Sequence, residues 1–558
     1  MIPSVYIDAI TFNDGTRVEL NPDDIVLFVG SNNVGKSRSL VEIESYFDNF
    51  KKTNQFIVEK IEVKTKNFEN IFDYIKSVSN IDISGGHTYY RGFGYLYSEY
   101  AFGGSLLDDN NLTEKGFFVC SSLTKNRLAL AMPTQNLGYN EQPNNLLQCL
   151  SQNPSLGKKL DSAFFKTFSK HLYCDTMTSS DICLRISNNE CVLPPVSNSI
   201  DATIVMKDLY FKMSPLSEQG DGMKSFAAIL LQLLLERLSV NLIDEPESFL
   251  HQPQAYSIAQ AFSSIGVGKQ FFISTHSTQF LLGLLENCPE RLKIIRMNRV
   301  KHGDKEINPV TVLKNSEVLD IIKDPLLEYS NIFDGIFYEK AVIAESETDC
   351  KFYQFIYKSL KKKDNYFFTL SHGKDKMGKI ITSLDKLGVK SSIILDIDAI
   401  CSPTTLKNIM HARNADYEKI KDDVLKINSF INSISTDHLN KINLIEKVVK
   451  EINSCPDEEI SEETRKRCRT LFNELTGYKK FKKSGRELLN DELKLSFDKI
   501  NKYLNDFDIH LVECGELENF IPEFNAQHGP SWVECVLTKY NDINDPVFDK
   551  AKEFVNKF

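Results

Sequence analysis

The chain has no run of eighteen or more apolar residues, so no segment predicts a membrane span. Its opening stretch, MIPSVYIDAITF, lacks a basic start, an apolar core and a small-residue cleavage site, which predicts no secretory signal. Cysteine pairs are missing too. Twelve cysteines are scattered singly from Cys120 to Cys535 with no C-x-x-C. That pattern speaks against a disulfide framework or a zinc module and predicts reduced thiols in a cytoplasmic protein. No sustained heptad pattern appears, which excludes long coiled-coil arms. An excess of positive charge is absent as well, since the net charge is −10. This argues against non-specific coating of nucleic acid but leaves room for a local basic groove. What remains is 558 residues, 42% hydrophobic and 25% charged, an ordinary globular composition with length for roughly two to four domains.

Ile25–Val29 with Gly30 is a short apolar run of the kind that forms a buried parallel strand. A polar loop follows, and then Ser39-Leu40-Val41-Glu42-Ile43 with a helical rhythm. Gly30 to Ser37 satisfies G-x-x-x-x-G-K-S in a strand–loop–helix context. Such a loop wraps phosphate with backbone N–H groups at a helix N-terminus. Gly30, Asn32, Asn33, Gly35, Lys36 and Ser37 are therefore candidates for holding ATP. Lys36 is expected to neutralise the β/γ-phosphates and Ser37 to ligate Mg²⁺. Leu242-Ile243-Asp244-Glu245-Pro246-Glu247 ends a second apolar run in acids. Asp244 is expected to hold Mg²⁺, and Glu245 to orient or deprotonate the attacking water. Phe271 to Ser277 reads as a strand reaching His276, placed to contact the γ-phosphate.

A second set of acids lies far downstream. Lys340–Ala344 reads as a strand delivering Glu345, and a helix over Thr348–Leu360 carries Asp349 in its first turn. Tyr366–Leu370 reads as a strand, Lys379–Leu387 as a helix, and Ser392–Asp398 as a strand ending in Asp396-x-Asp398. Alternating strands and helices predict a parallel sheet whose ligand site lies at the strands' carboxyl ends. Acids that converge there repel one another unless divalent cations neutralise them. Two metals about 4 Å apart can stabilise both oxygens of a phosphodiester displacement.

The order P-loop, D-E-P-E, S-T-H-S resembles the ABC-type ATPase heads of structural-maintenance and recombination-repair proteins. The resemblance gives Ser217–Ser225, with Gly220 and Gly222, the role of signature loop, departing from L-S-G-G-Q. Because that loop acts across an interface, the resemblance implies a homodimer or higher oligomer of heads. Glu345-Ser346-Glu347-Thr348-Asp349 followed by Asp396-Ile397-Asp398 resembles the Toprim pattern E-G-x-x-D and D-x-D, with serine in place of glycine. An ABC head followed by Toprim in one chain is similar to the OLD-family endonucleases, including Gabija-type and retron-linked effectors. The resemblance implies Glu345, Asp349, Asp396 and Asp398 as catalytic metal ligands for Mg²⁺ or Mn²⁺. It adds Glu516 and Glu518 from Gly515-Glu516-Leu517-Glu518, and a late lysine, Lys539, Lys550 or Lys552. DNA is the implied substrate. A helicase-like protein, or a reverse transcriptase with its DNA–RNA product, is the implied kind of defence partner.

The expected fold is α/β. An ABC-type head over 1–325 is split by an insertion near 51–200. A Toprim Rossmann-like domain over 326–558 carries a helical insert near 405–505. Gly85–Gly104 and Pro143–Leu160 read as irregular structure. In the insert, Ile427, Ile431 and Ile434, then Leu439, Ile442 and Ile445, carry a helical rhythm. Tyr478-Lys479-Lys480-Phe481-Lys482-Lys483 suits either a nucleic-acid backbone or a solvated helix end, as does Lys361-Lys362-Lys363. Two functions compete: an ATP-regulated metal-dependent DNA endonuclease, and an ATP-driven binding or sensor module whose second domain only docks a partner. A primase lacks its zinc cysteines here, and a topoisomerase lacks room for its tyrosine-bearing domain.

Overall fold

In the computed structural model the chain divides into two compact units, Met1–Asp320 and Ile321–Phe558. All residues are described except 1, 49–52, 94, 100–111, 139, 192–199, 304, 325–326, 328–330, 362–363, 372, 435–440, 455–459, 474–476, 525–528 and 541. Lys362, Lys363 and Leu439 thus lie outside the described residues.

The first unit is built on a six-stranded sheet. Its strands lie in the order Val310–Leu313, Leu292–Met297, Ile25–Val29, Gln270–Ser274, Val240–Asp244, Val119–Ser122. Five of them run parallel, and Val310–Leu313 pairs antiparallel at one edge. Ile25–Val29 is buried at every position, as a strand covered on both faces must be. Ser4–Phe12 pairs with Arg17–Glu19 and with Val58–Lys66 in a separate antiparallel sheet. Its Val5, Ile7, Ile10 and Val58 share one apolar core with Val26, Phe28 and Val240.

Residues 51–200 are not wholly an insertion. Val58–Lys66 belongs to the antiparallel sheet and Val119–Ser122 is an edge strand of the main sheet. The edge strand, VCSS, is half polar and so presents no apolar run. The two stretches read as irregular also carry regular structure. Asn80–Ser84, His87–Gly92 and Tyr95–Ser98 form an antiparallel sheet, joined at its first turn by Gly85 and Gly86, both at positive φ. Helices occupy Leu146–Ser151, capped by Asn145, and Pro154–Phe168, with proline in its first turn.

The second unit centres on four parallel strands in the order Tyr366–Leu370, Lys340–Ala344, Lys390–Asp396, Ile509–Val512. Helices Glu347–Lys361 and Lys374–Lys386 link the first three. Phe352, Tyr353, Trp532 and Phe554 form the core on one side of it. The strand predicted through Asp398 stops at Asp396, because its neighbour stops at Val512 and no ladder extends it. Asp398 instead sits in a 3₁₀ turn, Ile397–Cys401. The helix predicted from Lys379 starts at Lys374, after Gly373 at φ 106°. Residues 405–505 are mainly helical, with Ile427 and Ile431 buried and Ile445 exposed.

Candidate functional sites at the ends of two parallel sheets

The first site lies at the carboxyl ends of the first unit's strands. Gly30 leaves the Ile25–Val29 strand at φ 139°, and a Cβ there would collide with the Met297 carbonyl. Gly35, at φ 103°, precedes the Lys36–Phe47 helix, and a Cβ there would collide with the Ile57 side chain. Both positions demand glycine. Asn33 also has positive φ, at 63°, and it sits with Asn32 on the exposed rim of the loop. Ser37 is the second residue of the helix. Lys36 Nζ donates to the Gly30 and Ser31 carbonyls at 2.8 Å each. Burial brings its pKa down to about 8, with Glu245, Glu247 and Asp244 opposing.

Asp244 ends its strand beside that loop. Its carboxylate accepts from Ser274 Oγ and, at 3.3 Å, from Thr124 Oγ1. Glu245 follows at φ 47° and accepts from Ser248 Oγ at 2.9 Å. His276 Nε2 is 3.9 Å from Glu245 Oε1. Burial, then the charge of Lys36, lowers the His276 pKa, which keeps the imidazole neutral. Arg127 is fully buried and pins the turn by donating to the Asp244 carbonyl and, at 2.9 Å, to the Glu245 carbonyl. The same guanidinium reaches Ser225 Oγ at 3.1 Å, which ties the turn to the Asp221–Leu234 helix. Gly220 is the N-cap of that helix. A Cβ on Gly222 would lie 2.6 Å from the Phe249 carbonyl. Lys36, Asp244, Glu245 and His276 are thus brought together, and Arg127 is a member that its isolated position in the sequence concealed.

The second site lies at the carboxyl ends of the second unit's strands. Glu345, Asp396 and Asp398 each place a carboxylate oxygen within 4.8 Å of the others. Glu345 Oε1 accepts from the Asp396 backbone N–H at 3.2 Å. Burial, then the Glu345 charge, pushes Asp396 up to about 8. Burial also raises Glu345. Asp398 is only 2% exposed. Burial works to raise its pKa, but Lys374 and a hydrogen bond from Tyr478 outweigh it and hold the group ionised. Lys374 Nζ contacts Asp398 directly and lies 3.4 Å from Glu345. Lys482 Nζ lies 3.5 Å from Asp396, 3.9 Å from Asp398 and 3.4 Å from Glu516. Tyr478 and Lys482 both come from the short Gly477–Ser484 helix.

Asp349 is differently employed. Its carboxylate accepts from the Ser346 N–H at 3.0 Å and from Ser346 Oγ at 2.9 Å. Ser346 Oγ in turn accepts from the Asp349 N–H at 3.3 Å, a reciprocal cap on the Glu347–Lys361 helix. The serine that departs from E-G-x-x-D is therefore the residue that fastens Asp349. Burial raises the Asp349 carboxyl, and Glu518 and Lys482 act on it electrostatically. Glu518 Oε1 accepts from the Gly529 N–H at 3.0 Å. Among the described residues no ion pair joins Lys539, Lys550 or Lys552 to these acids. Lys539 lies over the Phe524 and Tyr540 rings, and Lys552 pairs with Asp549 at 2.8 Å. The lysines at the cluster are Lys374 and Lys482. Gly373-Lys374, directly after a strand, was the one local signal for the former.

The donors are all carboxylate oxygens, two of them buried hard enough to resist ionisation when bare. Such a set fits a hard divalent cation, Mg²⁺ or Mn²⁺, and not a thiolate- or imidazole-seeking one. Glu345, Asp396 and Asp398 would hold it, with Glu516 beside them.

A family profile described as "AAA domain, putative AbiEii toxin, Type IV TA system" matches residues 212–282. That stretch contains Gly220, Gly222, Asp244, Glu245 and His276. No curated protein matches the chain. Among solved structures, the SMC head bound to the C-winged helix domain of ScpA is 11% identical with a TM-score of 0.35, covering 56% of this chain and 99% of its own. The SMC head domain from Thermotoga maritima is 12% identical with a TM-score of 0.29, covering 56% and 100%. The Pyrococcus furiosus Smc head with an extended coiled coil, bound to the C-terminal domain of ScpA, is 10% identical with a TM-score of 0.32, covering 57% and 99%. The motifs, their convergence and the profile match make the first unit an ATP-binding ATPase domain with the motif order of ABC-type heads. No helix among the described residues is long and apolar enough to cross a membrane.

Proposed function

We propose that the protein is an ATP-regulated, divalent-metal-dependent DNA endonuclease, organised as in the OLD family. The observation that carries this reading is the convergence of Glu345, Asp396 and Asp398 within 4.8 Å at the carboxyl edge of a parallel sheet. Bound Mg²⁺ or Mn²⁺ would supply electrostatic stabilisation of the phosphodiester's developing charge. Asp398, held ionised by Lys374 and Tyr478, would be a permanent anchor of the site. Lys482 would present an ammonium toward the phosphate oxygens. The first unit would bind ATP through Lys36, Ser37 and Asp244, and Gly220 and Gly222 would serve a second copy of the head. That arrangement makes a homodimer the working form. Work in anti-phage defence with a helicase-like or reverse-transcriptase partner belongs to the same reading and rests on family resemblance.

The test is nicking of supercoiled plasmid with Mg²⁺ or Mn²⁺. Glu345→Ala and Asp396→Ala are each expected to lower cutting at least about a hundredfold, as loss of a ligand of a catalytic metal does. Unchanged cutting by both variants would sink the assignment.

One observation favours the second reading, an ATP-driven sensor whose second unit only docks a partner. Lys374, Lys482 and Tyr478 already satisfy much of the acids' charge within the protein itself. On that reading the parent protein neither cuts DNA nor binds Mn²⁺, while Lys36→Ala still abolishes partner assembly.

A further inference from the structure

A cavity of about 850 Å³ lies in the first unit, away from the ATP loop. Its walls come from the end of the Lys36–Phe47 helix, the Tyr95–Ser98 strand, the Val119–Ser122 edge strand and the turn before Asp244's strand. None of Gly30–Ser37, Asp244, Glu245 or His276 lines it. The volume is within the range of small-molecule sites, about 300–1,000 Å³.

Arg237 is the cavity's distinctive residue. Its guanidinium carbon lies 3.1 Å from the Phe93 ring centroid and 4.3 Å from that of Phe117. Nη2 is buried and has no hydrogen-bond partner. Among the described residues no carboxylate pairs with it. Glu44 and Asp48 also line the cavity. The groups that act on Arg237 electrostatically are Cys149, Tyr74, Cys120 and Tyr97. Burial pushes the Cys149 thiol up to about 11 and the Tyr74 phenol up to about 12, so neither offers a counter-charge at neutral pH. Burial lowers Arg237 itself only to about 10, which leaves it charged. A second orphan faces the same space: Ser121 Oγ, buried and without a hydrogen-bond partner.

A half-buried guanidinium with a buried, unpartnered Nη2 and no acid paired to it among the described residues is costly and calls for an explanation. Arginine stacked between two rings has its donors held in plane, pointed outward as a fork. The remaining lining is mixed: Phe47 and Tyr95 join the two stacked rings, and Thr134, Asn144 and Asn145 add polar groups. That combination recognises a ligand that is flat, aromatic and negatively charged. We propose that this cavity is a second ligand site of the first unit. It takes a flat aromatic anion, with a carboxylate or phosphate on Arg237 and the ring against Phe47, Phe93 and Phe117. Ser121 donates to the same anion or to the ring's edge.

The experiment uses the full chain saturated with ADP, so that the ATP loop is filled. The probe is 8-anilinonaphthalene-1-sulfonate, an aromatic anion with a planar naphthalene ring that fluoresces when shielded from water. The parent is expected to bind one equivalent saturably. Arg237→Met and Arg237→Gln are expected to weaken that binding at least about tenfold, with the melting temperature unchanged or raised, because an unpaired buried charge has been removed. Displacement by adenosine monophosphate but not benzoate marks a nucleotide-like phosphate ligand. The reverse marks a carboxylate. The proposal is overturned by any of three results: no saturable binding to the parent, full probe affinity in the folded Arg237 variants, or loss of folding in both. The last would mean that the guanidinium is a structural pin between two rings.

Discussion

Lys482 stands 3.4 to 3.9 Å from Asp396, Asp398 and Glu516. A divalent cation approaching those acids therefore meets an ammonium already in place. Each such contact is worth a few kcal/mol at most, at the effective dielectric of a partly exposed site. Lys482→Gln removes the competing charge and leaves the acids intact. Mn²⁺ affinity, measured by calorimetry, is expected to rise at least about tenfold, since one lost contact of ~1.4 kcal/mol suffices for that. If Lys482 also meets the phosphate, plasmid nicking at saturating Mn²⁺ falls in the same variant. Tighter metal with slower cutting would separate this lysine from a merely structural one. A lysine that only props the fold would instead lower thermal stability and leave metal affinity unchanged. Lys374 is a different case. It is enclosed between Glu345 and Asp398, and its removal would take away the nearest counter-charge of both acids, so weaker folding is the dominant effect there.

At the scale of elements, what could be read in advance depended on how local the cause was. Ile25–Val29 and Lys340–Ala344 are continuous apolar runs because parallel strands are covered on both faces, and each ends where its acid or glycine begins. Glu345 and Asp396 were legible for that reason. Val119–Ser122 was not, since an edge strand with two serines carries no such run. The Gly477–Ser484 helix shows the harder limit. Its lysines and aromatics read equally well as a solvated end, and only the folded chain returns Tyr478 to Asp398 across 80 positions. The Ile509–Val512 strand makes the complementary point, because its burial has a pH consequence. All four of its residues are buried. Burial brings His510 from 6.5 down to about 4, with Asp508 opposing and Lys340 and Lys557 reinforcing the shift. Its Nδ1 meets Asn505 Oδ1 at 2.8 Å and its Nε2 has no partner. The folded state thus holds a neutral ring where the unfolded chain takes up a proton. Stability from this group is complete above pH 6.5 and is lost as pH falls toward 4, by about 3 kcal/mol in all. Chemical denaturation at pH 7 and pH 5 is expected to show the parent losing about 2 kcal/mol relative to His510→Phe as the pH falls, a comparison in which the opposing contribution of the raised Asp396 carboxyl cancels.

Across the whole molecule, each sheet-end site draws its leading charge interactions from its own unit. The charges acting on Lys36 are Glu245, Glu247 and Asp244, all in the first unit. Those acting on Asp396 are Glu345, Lys482, Asp398 and Asp349, all in the second. Regulation requires two states of the protein that ATP binds with different affinity, such as separate and paired heads. This makes Lys36→Ala the decisive variant for the coupling. Lys36 belongs to the first unit, and losing it removes the charge expected to meet the β/γ-phosphates. In the parent, ATP is expected to shift the nicking rate at least about tenfold and to shift the sedimentation profile toward dimer, a coupling of ~1.4 kcal/mol or more. In Lys36→Ala both responses are expected to vanish, while Mn²⁺ affinity and the ATP-free nicking rate stay at parental values. If Lys36→Ala instead abolished Mn²⁺ binding, the sites would share one folding unit, and regulation by head pairing would have to be abandoned. A parent whose nicking ignores ATP would equally remove the first unit from control of the second.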